Sequence, residues 1–177
     1  DSLSDAIKGF HCIEFVLYGP LYNNIAGAKT VSQITPREFQ YILAVALNIK
    51  TLTAQIASIW NPSSSGNYYN SFVNAGSGSL VYSDQRAAME DLVNGMISIC
   101  EEVGNDKMQV PYSQHDASLE ESHFANNSIS DFHYNILGLQ NAYYGKFTLT
   151  MGGGPNTNSL SSFVKSYNIS LDNTIQS

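Results

Sequence analysis

Charge is what this chain has least of. Asp, Glu, Lys and Arg together make up 13% of its 177 residues, about half the ~25% of an ordinary soluble domain. The formal net charge is -7, and the arginines are only Arg37 and Arg86. So few cations cannot build the basic stripe that grips a phosphate backbone, which excludes nucleic acid as a partner. Cysteine is equally scarce: Cys12 and Cys100 are too few for a disulfide framework. Both lie in apolar helical stretches and read as buried free thiols rather than a bridge. Long apolar runs are missing as well, none reaching the ~18 residues of a spanning helix. No positively charged segment followed by an apolar stretch opens the chain, so no signal peptide is read there. Polarity rests on Asn, Ser, Thr, Gln and Tyr, which leans toward a secreted or envelope protein. The length suffices for one core or two small ones.

What is present is helical periodicity, so the fold class is all-α. A first helix is predicted over residues 4–18, with Leu3, Ile7, Phe10, Ile13 or Glu14, and Leu17 on one stripe, and Gly19-Pro20 as its stop. A second starts at Thr35-Pro36-Arg37-Glu38, where Thr35 caps, Pro36 fits the first helical position and Glu38 completes a capping box. It runs to Trp60 with Ile42, Val45, Ala46, Ile49, Leu52, Ile56 and Ile59 as its buried face. Residues 62–80, rich in Ser, Gly and Asn, read as a long connection with a helical turn over 68–73. Further helices are predicted over 83–103, ended by Gly104-Asn105; over 128–144, ended by Gly145; and over 159–175, through Leu160, Phe163, Val164, Tyr167 and Leu171. Ser118 to Glu121 and Ser128 to Asp131 each have the spacing of a capping box. Gly152-Gly153-Gly154-Pro155 is a loop, and residues 146–151 are the one stretch that could be extended. Residues 5–13 also align without gaps against residues 91–99, sharing Asp, Gly and Ile. That echo sets Ile97 opposite His11 and Cys100 opposite Glu14, so only the first copy carries polar chemistry.

His11 and Glu14 stand three residues apart and project from nearly one helical face. A polar pair in an apolar helix must find partners or neutralise, because burying a lone charge is costly. Gly9, two residues earlier, costs about 1 kcal/mol of helix propensity relative to Ala, which points to a close backbone approach. Imidazole with carboxylate suits Zn, Fe or Mn, but two ligands do not complete a site. The remaining donors are His115, His123, His133, Glu120, Glu121 and Asp131. The zinc-protease pattern His-Glu-x-x-His is absent, and its inverted form fails because Phe15 follows Glu14. One Glu-x-x-His, Glu120 to His123, falls short of the two that a di-iron bundle needs. The plain alternatives are a core histidine paired with its glutamate and, for residues 121–135, capping plus a solvated face. Capping accounts for Ser128 and Asp131 but not for Glu121, Ser122, Asn127 and Asn135 together. No nucleophile elbow, phosphate loop or dinucleotide fingerprint occurs.

The run Lys8-Gly9-Phe10-His11-Cys12-Ile13-Glu14-Phe15-Val16-Leu17-Tyr18-Gly19 resembles the Gly-x-His-x-x-Glu signature of the imelysin-like peptidase family. The block from Ser118 through Glu121-Ser122, Asn127-Ser128 and Asp131 to Asn135, then Gln140 to Gly145, is similar to the family's second characteristic block. The resemblance implies two related helical bundles of the four-helix kind, with this chain a partial member lacking an N-terminal segment and a C-terminal end. On that reading residues 1–61 belong to the first bundle, 62–80 connect, and 81–177 form the second. It implies a site where the bundles meet, with Gly9, His11 and Glu14 from one side and Glu121, Ser122, Asn127 and Asp131 from the other. It also implies Fe or Zn, or an iron-containing ligand, held by His11 and Glu14, which would be the catalytic residues if the protein is a peptidase. Expected partners are envelope iron-uptake components, and the expected place is the periplasm, outer membrane or cell surface of a bacterium. Membrane attachment would come only through a lipid anchor outside this chain. A binding protein of iron or haem acquisition is favoured over a metallopeptidase, because catalytic zinc normally takes three protein ligands and only two are identified. An interaction module without ligand is the third reading.

Overall fold

Residues 8–19, 28–65 and 67–177 are described by the computed structural model. Among them every regular element is helical, as the periodicity predicts. Helix α1 spans Phe10–Tyr18. It starts later than predicted: Lys8 and Gly9 are not helical, and Gly9, with extended backbone, takes the N-cap position. Gly19, at φ 76°, ends the helix and returns its N–H to the Phe15 carbonyl at 2.8 Å. Leu3, Ile7, the Pro20 stop and the first residues of the internal echo lie outside the described residues.

Helix α2, Pro36–Ile59, opens as the sequence dictates. The Glu38 N–H donates to Thr35 Oγ1 at 3.2 Å, and the Thr35 N–H donates to Glu38 Oε2 at 2.8 Å. Lys29 Nζ adds an ion pair to Glu38 Oε1 at 2.8 Å. The Lys29 hydrogen bond first, then those of Thr35, pull the Glu38 carboxyl down to about 2. An unfolded Glu titrates near ~4.3, so this contribution is full above that pH and is lost as pH falls toward the folded value. In thermal melts, Glu38→Gln is expected to melt below wild type at about pH 5 and to converge on it near about pH 2. Thr35→Ala, which removes the cap itself, is expected to cost about 1 kcal/mol.

The buried face predicted for α2 is not buried. Of its seven residues Val45 alone is buried, while Leu52, Ile56 and Ile59 are exposed, joined by Phe39, Leu43 and Leu47 from other faces. Helix α1 packs along it, and Tyr41 hydrogen-bonds the Cys12 thiol, burial and that bond both pushing the phenol upward. By length and composition α2 is also apolar enough to cross a membrane, although no unbroken apolar run in the sequence reaches that length. The physical reason is the same in both cases: apolar residues occur all round this helix, and the described residues cover little of it. Neither cysteine forms a disulfide among the described residues, as expected, but Cys12 is half-buried and Cys100 exposed, so the expectation of two buried thiols fails.

Helix α3, Tyr68–Val73, is the short turn predicted within the connection. Its Tyr68 and Phe72 pack with Ala87 around the buried Ala75, Tyr82 and Ala88. Helix α4 covers Gln85–Glu101, capped by Asp84, which accepts the Ala87 N–H at 2.9 Å. It does not stop at Gly104. A wide π-helical turn, Glu102–Met108, carries the chain into α5, Gln109–Gln114. Pro111 has no N–H to give to the preceding turn, and wide turns of this kind are rare and occur mostly as single turns inside α-helices. A short 3-10 turn, Ala117–Leu119, follows; the capping box expected at Ser118 does not form, because Asp116 accepts the Ser118 N–H at 2.9 Å instead.

Helix α6, Ser128–Tyr144, matches its predicted bounds and ends at Gly145 in the left-handed region. It packs against both α4 and α7. The predicted last helix is two: α7, Leu160–Tyr167, and α8, Ile169–Gln176, broken at Asn168, whose side chain caps the second by accepting the Leu171 N–H at 3.0 Å. Phe163, Tyr167 and Leu171, predicted to face the core, are exposed. What α7 and α8 bury is polar. Asp172, 0% exposed, accepts from Tyr143 Oη at 2.9 Å and Ser161 Oγ at 2.7 Å on one oxygen, and from Gln176 Nε2 at 2.7 Å on the other. Burial pushes its carboxyl up, but the bonds from Ser161, Tyr143 and Gln176 outweigh that and hold it below the usual carboxylate range.

Candidate functional site

The two polar residues of α1 meet. His11 Nδ1 lies 3.3 Å from Glu14 Oε2, with the imidazole 50% exposed and the carboxylate 19%. This is the i, i+3 approach that one helical face allows. The contact is long for a charge-assisted bond, so neither group is locked by the other, and His11 presents its ring to solvent. The close approach expected at Gly9 is absent among the described residues, since a Cβ there would meet nothing within 4 Å. Gly9 serves instead as the extended N-cap that begins α1, its carbonyl accepting the Cys12 N–H at 3.2 Å.

The second block folds around Ser122 and Ser128, both buried. The Ser122 N–H donates to Ser128 Oγ, and that hydroxyl donates to Glu120 Oε2, each at 3.2 Å. The Asn127 N–H returns to the Ser122 carbonyl at 3.2 Å, while Asn127 Nδ2 donates to Asp131 Oδ1 at 3.1 Å. Ser128 is therefore the first residue of α6 and not its cap; Asn127 holds that place without a side-chain cap bond. The other oxygen of Asp131 is closed off from solvent and has no hydrogen-bond partner. Such an orphaned acceptor is uncommon in a folded protein.

Lys107 is the residue that sequence reasoning missed. Its ammonium sits 2.9 Å from Glu102 Oε1 and 3.0 Å from Glu121 Oε2. Burial pushes it down, but the two carboxylates outweigh this and raise it above the ordinary lysine value. Glu102 and Lys107 are five apart, off-face in an α-helix but neighbours in a π turn. The signal was thus conditional on the wide turn that Gly104 was expected to prevent. Of the other donors, His115 and His133 are exposed, and His123 Nδ1 engages the Glu120 carbonyl at 2.9 Å.

The two blocks touch through aromatic rings. Phe15, next to Glu14, packs edge-on against Phe124 with centroids 5.2 Å apart, and Phe124 lies against the His123 ring at 3.8 Å. No hydrogen bond or ion pair joins His11 or Glu14 to Glu121, Ser122, Asn127 or Asp131 among the described residues. Nor do three His, Cys, Asp or Glu side chains there converge as a metal-binding group. The donor set on α1 is an imidazole with a carboxylate, which fits part of a coordination shell for Fe or Zn and leaves the rest to other groups.

An all-helical chain with a half-exposed His-x-x-Glu pair beside a polar helix-entry block is the class that these features define. The family model for imelysin matches residues 1–177, and the chain belongs to that family. It is also similar to the iron-regulated protein A of Synechococcus elongatus, 31% identical over 144 residues. That match takes in 80% of this chain but 37% of the relative, so the chain spans well under half the length of the protein it matches. No solved structure matches it significantly.

Proposed function

We propose that this chain is the ligand-binding part of a bacterial envelope protein of iron acquisition, in which His11 and Glu14 hold Fe or Zn, or an iron-containing ligand. The observation that carries this reading is the His11–Glu14 contact of 3.3 Å on a half-exposed helical face. Its neighbour Phe15 sits against the second polar block, which supports Glu121, Ser122, Asn127 and Asp131 as the other side of one pocket. Membership of the imelysin family and a relative named for iron regulation support the iron connection and a place outside the cytoplasm. Its partners are then the metal or iron-containing ligand and the uptake components that deliver or receive it. A metal bound there would supply a Lewis-acidic centre, with the His11 imidazole and the Glu14 carboxylate as the groups that would hold it. Catalytic zinc normally takes three protein ligands, and the sequence identifies two, His11 and Glu14. Binding is therefore the function adopted.

Calorimetric titration with Fe(II) and with Zn(II) tests it. Wild type is expected to bind one of them saturably, and His11→Ala and Glu14→Ala each to weaken that binding by at least about ten-fold, as lost support for a metal commonly does. Absence of saturable binding in wild type, or unchanged binding in both variants, contradicts the proposal.

A further inference from the structure

A cavity of about 440 Å³ lies away from the His11–Glu14 pair. Trp60, Tyr68, Phe72 and Tyr82 line it, with Asp91, Gly95 and Gly138 from α4 and α6. Its size falls within the range of small-molecule sites. The rings stand steeply to one another: Trp60 to Tyr68 at 75°, Tyr68 to Tyr82 at 70° and Phe72 to Tyr82 at 88°, with centroids 5.1–6.2 Å apart. Rings set nearly perpendicular cannot all cover each other's faces, so they wall a box in different directions. The backbone opens its floor, because a Cβ on Gly95 or Gly138 would meet nothing within 4 Å.

Charge selects the occupant. Asp91 is the one charged residue in the lining. Its Oδ2 accepts from Tyr82 Oη at 2.7 Å, and Tyr82 in turn shares a hydrogen bond with Tyr68. No lysine or arginine pairs with Asp91 among the described residues. Aromatic faces attract cations through their quadrupole, most strongly trimethylammonium groups too bulky to be well hydrated. An unneutralised carboxylate at the rim adds to that attraction, and the net charge of -7 favours cations over the whole surface.

We infer that the Trp60–Tyr68–Phe72–Tyr82 box binds an organic cation of the quaternary ammonium type, with Asp91 as its counter-charge. Trp60 is the sole tryptophan in the chain, so its fluorescence reports on the box directly. The full chain is titrated with choline and, separately, with 3,3-dimethylbutan-1-ol, the same shape with carbon in place of the charged nitrogen. Choline is expected to change the Trp60 emission saturably and the neutral isostere to bind at least roughly ten-fold more weakly. Asp91→Asn keeps an oxygen for Tyr82 but removes the charge, and is expected to weaken choline by a similar factor. Gly95→Leu raises helix propensity while filling the floor, and is expected to abolish binding with the fold, followed by circular dichroism, intact. Equal affinity for choline and its neutral isostere, no saturable change with choline, or undiminished binding in Gly95→Leu overturns the assignment.

Discussion

Asp172→Ala is expected to lower the melting temperature by roughly 10 °C, the largest effect of any single substitution outside the apolar core. The carboxylate is fully buried and satisfies three donors at once: Tyr143, Ser161 and Gln176. Truncation leaves those donors facing a cavity, and an unmade bond in a closed site costs more than a made one contributes. Ser161 is itself fully buried and Tyr143 nearly so, which keeps water from replacing the lost oxygen atoms. The same carboxyl, held below its ordinary value, gives the fold an acid limit. Its contribution is complete above the ~3.9 of an unfolded Asp and drains away as pH falls through the folded value. Melts of Asp172→Asn against wild type, from about pH 6 downward, should therefore differ most at the upper end and converge in acid. A difference that grows on acidification would contradict the assignment.

Lys107→Met is expected to destabilise the chain by about 2 kcal/mol, seen as a melting temperature roughly 5 °C lower. The methionine fills the space of the lysine stem but leaves Glu102 and Glu121 without their shared cation. Glu121 suffers more, since the oxygen facing Lys107 is closed off from solvent. Breaking one side of a partly buried ion pair is costly mainly through the charge left behind. Adding Glu121→Gln to Lys107→Met should then restore part of the loss, because the stranded charge is gone. Equal melting of the single and double variants would show that Glu121 does not depend on Lys107.

Local chemistry was legible where a few neighbouring residues decide the outcome. Thr35-Pro36-Arg37-Glu38 forms its capping box, and Gly145 closes α6, because each device is complete within one helical turn. The breaks that depend on distant partners were not. Gly104 reads as a stop, yet the chain continues through a π turn that sets Lys107 beside Glu121, fourteen positions further along the chain. Asn168 divides the last helix because Asp172 must turn inward to Tyr143 on α6, and an aspartate in an amphipathic stretch reads as solvated. Periodicity reveals that α2 is apolar but not what covers it, and the described residues cover little. For the site, the spacing of His11 and Glu14 placed both on one face, as found, while the hold of Lys107 on Glu121 was hidden by the helix type.

The central claim is that the α1 pair and the second polar block serve one ligand. It is tested most directly by a double-mutant cycle on metal affinity, using Glu14→Ala, Glu121→Gln and the pair together in calorimetric titrations. If both carboxylates face one bound metal, the combined loss should depart from the sum of the single losses by about 1 kcal/mol, as coupled groups do. Losses that add within about 0.3 kcal/mol would mean that the two blocks act apart, and would contradict the account.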